Sequence, residues 1–509
     1  MPIYDNLLVR AQSLFANHPA IVDGPVRQNY GELVERVRRL AGAMTQLGLQ
    51  RGDPVGFLGR NSFRFIEVNL ACSLAGLIHV PINFRLSDVE IDYIVADTGL
   101  RLLFAESRYR GRAEQTVVWS DSDPVRGDNE YEALLYSGHP ADFDDSPVES
   151  STDDVAQIFY TSGTTGHPKG VCLTRGNLTA SALDALVSLE MKRRDGWLHA
   201  SPMFHLVDAF AIWAISLVGG RHIINHFSPD EFGPLVEAER ITKTSLPPTL
   251  LDRIVREPSI TNYDLSSLEL ISYGGSPMQD AVYQRCHETL GCSMLQAYGL
   301  TEGSGFVCHE VRDNNPLPKQ AMNTVGHPTL HTQIRLLDET GNAVPDGEAG
   351  EILIRGPRVF KHYWQKPEMT AAAFTHDGWY RTGDIGRRDH HGRYQIAGRR
   401  KEMVISGGEN IYPAEVQNVL LGCPGVTEAA VFGVPSVEWG EEVRAVVYAE
   451  GVQAGTLTES DLLGYCRTRI GGYKLPKRIY ITDEPLPKSG PGKIATNQIR
   501  TRYIEESKQ

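Results

Sequence analysis

No stretch of this sequence is apolar for long enough to cross a bilayer. Its most apolar windows, 209–218 and 71–82, fall short of the roughly 20 residues that a spanning helix needs. The N-terminus, Met1-Pro2-Ile3-Tyr4-Asp5-Asn6, has no basic segment leading into an apolar one, so no secretory signal is expected. Cysteine is sparse. The seven cysteines, at 72, 172, 286, 292, 308, 423 and 466, form no Cys-x-x-Cys pair. An odd and scattered set argues against a disulfide framework or a cysteine zinc site, and fits free thiols in a reducing compartment. Positive charge is also in deficit: 50 Lys and Arg against 63 Asp and Glu leave a net charge of −13. Such a balance disfavours non-specific binding to nucleic acid or to an anionic membrane. A cytoplasmic protein without a transmembrane segment is expected.

What is present is ordinary globular material, 41% apolar and 22% charged, in 509 residues. That length exceeds one core and implies two or more domains. Helical spacing of apolar residues occupies 6–16 and 30–48, the latter through Leu33, Val37, Leu40 and Met44. The spacing predicts a strand over 55–58, a helix over 63–75, a strand over 77–82, a helix over 88–97 and a strand over 102–104. Strands alternating with helices point to parallel α/β architecture. The polar segment 105–153 predicts loops and short strands. Further on, 177–189 reads as a helix with Thr174 as a candidate cap, and 230–257 as helix, strand, helix. The strand candidate 268–273 ends in Gly274-Gly275, and 294–298 ends in Gly299-Leu300-Thr301-Glu302. Both turns fall at strand carboxyl ends, where open α/β sheets collect their ligands. From 325 to 398 turn signals separate short strands, predicting a small β-rich subdomain. A charged link, Gly398-Arg399-Arg400-Lys401-Glu402, then leads into a compact α+β pattern over 399–509.

One segment stands out chemically. The apolar run 155–160 reads as a buried strand, and it runs into Thr161-Ser162-Gly163-Thr164-Thr165-Gly166-His167-Pro168-Lys169-Gly170. Glycines let a backbone turn tightly and aim its N–H groups at an anion. Hydroxyls add donors and the lysine adds charge. The composition is that of a phosphate-holding loop. It is not the Walker pattern, because Pro168 stands five positions after Gly163 and Gly170 follows Lys169.

The loop 161–170 resembles, nearly letter for letter, the phosphate loop of the adenylate-forming superfamily of acyl-CoA synthetases, peptide-synthetase adenylation domains and firefly luciferase. Further matches occur in family order. The resemblance implies that Glu302 binds magnesium, Thr301 bonds the α-phosphate and Tyr298 lies against adenine. Gly274-Gly275-Ser276 resembles the segment passing adenine and the acyl pocket, and Gly299 belongs to the Tyr298–Glu302 motif. Tyr380-Arg381-Thr382-Gly383-Asp384 resembles the ribose motif, with Asp384 holding the hydroxyls and Arg399 as its partner. Pro487-Lys488-Ser489-Gly490-Pro491-Gly492-Lys493 resembles the loop of the catalytic lysine, which makes Lys493 the bridge between acyl carboxylate and α-phosphate.

The resemblance further implies a large domain, 1–398, and a small mobile domain, 399–509, turning on a hinge at Lys401. The turn presents Ser406-Gly407-Gly408-Glu409-Asn410, whose Gly407 and Gly408 line a thiol tunnel. That loop resembles the acyl-CoA ligase form. His205, in Phe204-His205, aligns where amino-acid-activating domains carry aspartate, and in the acyl-CoA branch it lies between the acyl pocket and the CoA path. The implied reaction is an AMP-forming acid–thiol ligation that uses ATP, Mg²⁺ and CoA. The alternative is a freestanding acyl-adenylating enzyme that loads a carrier-protein thiol or stops at the adenylate, a catalytically dead nucleotide-binding regulator is the alternative of another class, and a homodimer is the base-rate assembly. The acid stays open among aryl, medium-chain, dicarboxylic and polycyclic classes.

Overall fold

Buried apolar runs and the helices between them build two sheets that carry most of the chain. The structure, a computed structural model, describes residues 3–120, 129–139, 150–161, 168–225, 228–275, 278, 280–312, 324–406, 409–436, 438–449, 457–488 and 494–506. Among these, the strands form four sheets.

The first is seven-stranded. Strands Val155–Thr161, Ile78–Ile82, Pro54–Leu58, Leu102–Glu106 and Gln115–Trp119 run parallel in that order. Every residue of Pro54–Leu58, Ile78–Ile82 and Leu102–Glu106 is buried, as expected when helices cover both faces of a parallel sheet. Strand Lys169–Thr174 returns antiparallel to Val155–Thr161, and His362–Tyr363 pairs outside it. Helix Arg175–Ser188 starts from a reciprocal cap. The Asn177 amide donates to Thr174 Oγ1 at 3.1 Å, and the Thr174 amide donates to Asn177 Oδ1 at 2.8 Å.

The second sheet has nine strands. Its centre is parallel through Ser293–Leu300, Leu270–Gly274, Lys243–Leu246, Gly196–His199, Arg221–Ile224 and Pro19–Asp23. Antiparallel strands close its edges: Val26–Asn29 on one side, Gly305–Arg312 and His327–Pro328 on the other. Helix Leu206–Val218 is apolar nearly all round and buried from Ala209 to Leu217, the pattern of a helix packed between layers.

The third sheet is antiparallel: Gln333–Leu337, Gly350–Arg355, Tyr380–Arg388 and Tyr394–Arg399. The fourth contains Glu409–Ile411, Val404–Ser406, Gly440–Ala449 and Val426–Ser436, with Arg478–Thr482 parallel to Gly440–Ala449. It has its own buried cluster around Val431, Ala445, Leu462 and Ile479. The architecture is therefore mixed α/β, with a large N-terminal part and a small C-terminal one.

One expectation needs correction. The polar stretch 105–153 was expected to hold loops and short strands; it also holds the helix Glu130–Ser137. Asn129 caps it by accepting from the Glu132 amide at 3.0 Å. Glu132 then takes two hydrogen bonds, at 2.8 Å each, from the buried Arg36 guanidinium. In sequence, a buried carboxylate that meets its partner across the fold looks the same as a solvated one. The seven cysteines are all free and buried. No helix among the described residues is long and apolar enough to cross a membrane.

A candidate active site where three sheets meet

The nine-stranded sheet delivers one side of the site. Strand Leu270–Gly274 ends at Gly274, and the neighbouring Ser293–Leu300 ends in a single helical turn, Thr301–Gly303. Glycine is required at both ends by close approach. A Cβ on Gly274 would lie 2.3 Å from the Ala297 carbonyl oxygen, and one on Gly299 would lie 2.4 Å from that of Gly305. Both distances are well inside contact. Gly275 follows at φ +79°, a left-handed conformation that glycine adopts freely.

The seven-stranded sheet brings Lys169, the first residue of its strand, and Tyr363 from its edge. Lys169 Nζ lies 2.9 Å from Glu302 Oε1 and 2.6 Å from the Tyr363 hydroxyl. Tyr363 in turn donates to Glu302 Oε1 at 3.0 Å, and its hydroxyl meets that of Tyr380 at 3.3 Å. Burial first, and Glu302 second, push the Tyr363 phenol above its ordinary pKa, so it stays protonated and able to donate.

The antiparallel sheet supplies the third side. Asp384 and Arg399 are cross-strand partners in register, and Arg399 Nε sits 3.0 Å from Asp384 Oδ1. Tyr298 donates to Asp384 Oδ2 at 2.6 Å. The nearby Asp384 charge raises the Arg399 pKa. An ionised carboxylate accepts about four hydrogen bonds and can hold a pair of vicinal hydroxyls. Lys401, exposed in the turn Arg400–Glu402, has its pKa lowered by partial burial and then by the like charges of Lys169 and Arg399. The hinge candidate follows Arg399 by two residues.

The structure therefore gathers Lys169, Tyr298, Glu302, Asp384 and Arg399, with Thr301 in the same turn as Glu302. Thr161 pairs with Lys169 across the strands, and its Oγ1 is buried with no hydrogen-bond partner among the described residues. His205 stands in an aromatic wall instead. It precedes helix Leu206–Val218, and its ring lies 4.5 Å from that of Phe204, which meets Phe84 edge-on at 5.3 Å. Ser162, Gly163, Thr164, Thr165, Gly166, Ser276, Gly407, Gly408 and Lys493 lie outside the described residues. No motif in the sequence marks Tyr363, which sits in an unremarkable aromatic stretch and reaches Glu302 only through the pairing of distant strands. Tyr380 opens the segment that resembles the ribose motif, but its hydroxyl contact with Tyr363 emerges only in the fold.

Carboxylates and cations here neutralise one another at short range. A polyphosphate would offer Lys169 a competing anion and would free a Glu302 oxygen for a hard cation. Among the described residues no three His, Cys, Asp or Glu side chains cluster to hold a metal. The donor set suits magnesium, which commonly takes one or two carboxylates plus substrate phosphates.

Comparison with known proteins agrees with this geometry. Residues 8–364 match the model of the AMP-binding enzyme family, and residues 415–493 match that of the AMP-binding enzyme C-terminal domain. The chain belongs to the AMP-binding enzyme family. It is 37% identical over 500 residues to a feruloyl-CoA synthase of an Amycolatopsis species, covering 97% of this chain and 98% of that protein. It is 35% identical to the indoleacetate–CoA ligase of Aromatoleum aromaticum, covering 93% and 92%. The fold matches the crystal structure of ATP-bound MatB from Rhodopseudomonas palustris with a TM-score of 0.88 at 30% identity, over 98% of this chain and 99% of that one. These relatives place the chain in the acyl-CoA synthetase branch of the adenylate-forming superfamily.

Proposed function

We propose that the gathered residues carry the two half-reactions of an ATP-dependent acyl-CoA synthetase, with the roles below. The enzyme uses ATP, Mg²⁺ and CoA. A carboxylate oxygen of the acid attacks the α-phosphorus of ATP, an acyl-phosphate bond forms, and the α–β bridge breaks so that pyrophosphate leaves. The CoA thiol then attacks the acyl carbon and gives up its proton to solvent, a C–S bond forms, and the acyl C–O bond breaks so that AMP leaves with its electron pair. No covalent enzyme intermediate is needed, so no cysteine need be catalytic.

Asp384 holds the ribose hydroxyls, oriented by Tyr298 and Arg399. The Gly274–Ser276 segment and Tyr298 flank adenine. Thr301 donates to the α-phosphate, while Lys169 and the loop 161–166 hold the departing pyrophosphate. Lys493 bridges the acyl carboxylate and the α-phosphate, where negative charge builds in the transition state. When bound, magnesium on Glu302 neutralises phosphate oxygens. His205 borders the acyl pocket. We place the domain boundary at 398/399, the hinge at Lys401, the thiol tunnel at Gly407 and Gly408, and the enzyme in the cytoplasm.

The observation that carries this reading is the convergence of Lys169, Glu302, Asp384 and Arg399 from three sheets onto one cluster. Separating the half-reactions tests it. Lys493→Ala abolishes acid-dependent pyrophosphate release but still converts supplied acyl-AMP and CoA to thioester. Lys401→Pro does the reverse, because proline fixes φ at the hinge. Equal loss of both steps in either variant contradicts the assigned role.

A further inference from the structure

Behind the Thr301–Glu302 turn lies a buried charged cluster that the reaction does not use. Ser304 follows the turn with φ +56°, a left-handed conformation that non-glycine residues avoid, and Gly305 continues at φ +106°. Ser304 is fully buried and is held from several directions. Its carbonyl accepts from Ser181 Oγ at 2.6 Å and from Arg358 Nη2 at 3.2 Å. Its own hydroxyl donates to the Arg358 carbonyl at 2.6 Å. Two residues beyond Arg358, the Phe360 amide donates to the Glu302 carbonyl at 2.8 Å.

Arg358 is itself 1% exposed and fixed in place. Its Nη1 donates to Asp184 Oδ2 at 2.8 Å and to Thr329 Oγ1 at 3.0 Å. Its guanidinium carbon lies 5.3 Å from the centre of the Phe306 ring. Asp184, fully buried on helix Arg175–Ser188, also pairs with His331 Nδ1 at 2.5 Å. Strained backbone persists only where its surroundings over-determine it, and such strain concentrates at functional sites.

We propose that Arg358, anchored by Asp184, is a positioning residue that clamps Ser304 in its left-handed conformation and so aims Glu302 at the metal and Thr301 at the α-phosphate. This rests on the reading of Glu302 as the magnesium side chain. The clamp acts on the metal–phosphate end of the site and leaves the acid and thiol ends alone.

The test uses the full chain, with Mn²⁺ as the metal probe and a non-hydrolysable ATP analogue. Free Mn²⁺ is read by its electron paramagnetic resonance signal. The Asp184→Asn/Arg358→Met double variant removes both charges, so neither is left buried alone. The proposal expects its half-saturating Mn²⁺ in the presence of analogue to rise about tenfold, the scale of one lost charged hydrogen bond. Thioester formation from supplied acyl-AMP and CoA stays at the wild-type rate. Adding Ser304→Gly recovers part of the Mn²⁺ affinity, because glycine occupies the left-handed region without the clamp. A purely structural role predicts joint loss of metal affinity and thioester formation, with no rescue, and overturns the proposal. Glu302→Gln is measured alongside. Loss of Mn²⁺ affinity in Glu302→Gln alone overturns the clamp and leaves the metal reading standing. Loss in neither overturns both.

Discussion

Asp384 concentrates the chemistry of the site at the scale of one residue. It accepts from Tyr298 on one oxygen and faces Arg399 on the other, so its charge is already oriented when a nucleotide arrives. Asp384→Asn keeps the size and removes the charge. The KM for ATP rises about tenfold to a hundredfold, in line with ~1.5–3 kcal/mol for hydrogen bonds to a charged group, while the KM for the acid changes little. Steady-state kinetics in each substrate checks this, and a parallel rise in both constants contradicts the ribose assignment. Asp384, Arg399 and Glu302 were singled out by the resemblance, and the structure brings them together. Tyr363 was not singled out, because its meeting with Lys169 and Glu302 joins segments far apart in the chain. Arg358 was hidden for the same reason. Its partners Asp184, Thr329 and Ser304 come from three other segments.

At the scale of elements, continuous apolar runs announced the parallel strands, and 63–75 emerges as the helix Phe63–Ala75. Expected and observed strands over 55–58 and 77–82 differ by a residue at an end, the ordinary imprecision of helix and strand ends. The helix Glu130–Ser137 was illegible because it is short: only Tyr131 and Leu135 mark its core face, and its third buried residue, Glu132, is held by a long-range ion pair. Strand Ile78–Ile82 carries a testable consequence. Its His79 is fully buried beside Asn69 and Phe65, and burial pushes its pKa down to about 3. The native imidazole therefore stays neutral below pH 6.5, where the unfolded one takes a proton. Above the unfolded pKa near 6.5 the titration of His79 leaves stability unchanged. As pH falls from there toward 3, the unfolded state binds the extra proton and stability drops by about 1.4 kcal/mol per pH unit. His79→Gln removes that slope, narrowing the loss between pH 6.5 and 5 by about 2 kcal/mol. Urea denaturation at the two pH values measures it, and identical slopes in variant and wild type contradict the buried neutral state. His222, also buried and lowered, keeps a similar slope in both proteins.

At the scale of the molecule, two α/β sheets and an antiparallel sheet each bring one group of side chains to a shared cluster, and the fourth sheet follows directly after Arg399 and Lys401. No one layer holds a complete site, which explains why single motifs identify the chemistry while the acid pocket stayed unread. Motifs are local, whereas the pocket is a shape made by distant segments. The most direct measurement is release of AMP and pyrophosphate from ATP across a panel of carboxylic acids that includes aryl, indolyl, dicarboxylic and fatty acids, with and without CoA, and with products identified by mass. The account predicts release that requires both acid and CoA, stoichiometric AMP and pyrophosphate, and an acyl-CoA thioester. Formation of ADP and phosphate, or acyl-adenylate that accumulates without turning over on CoA, contradicts it. The second outcome points to a carrier-protein thiol as acceptor or to an enzyme that stops at the adenylate.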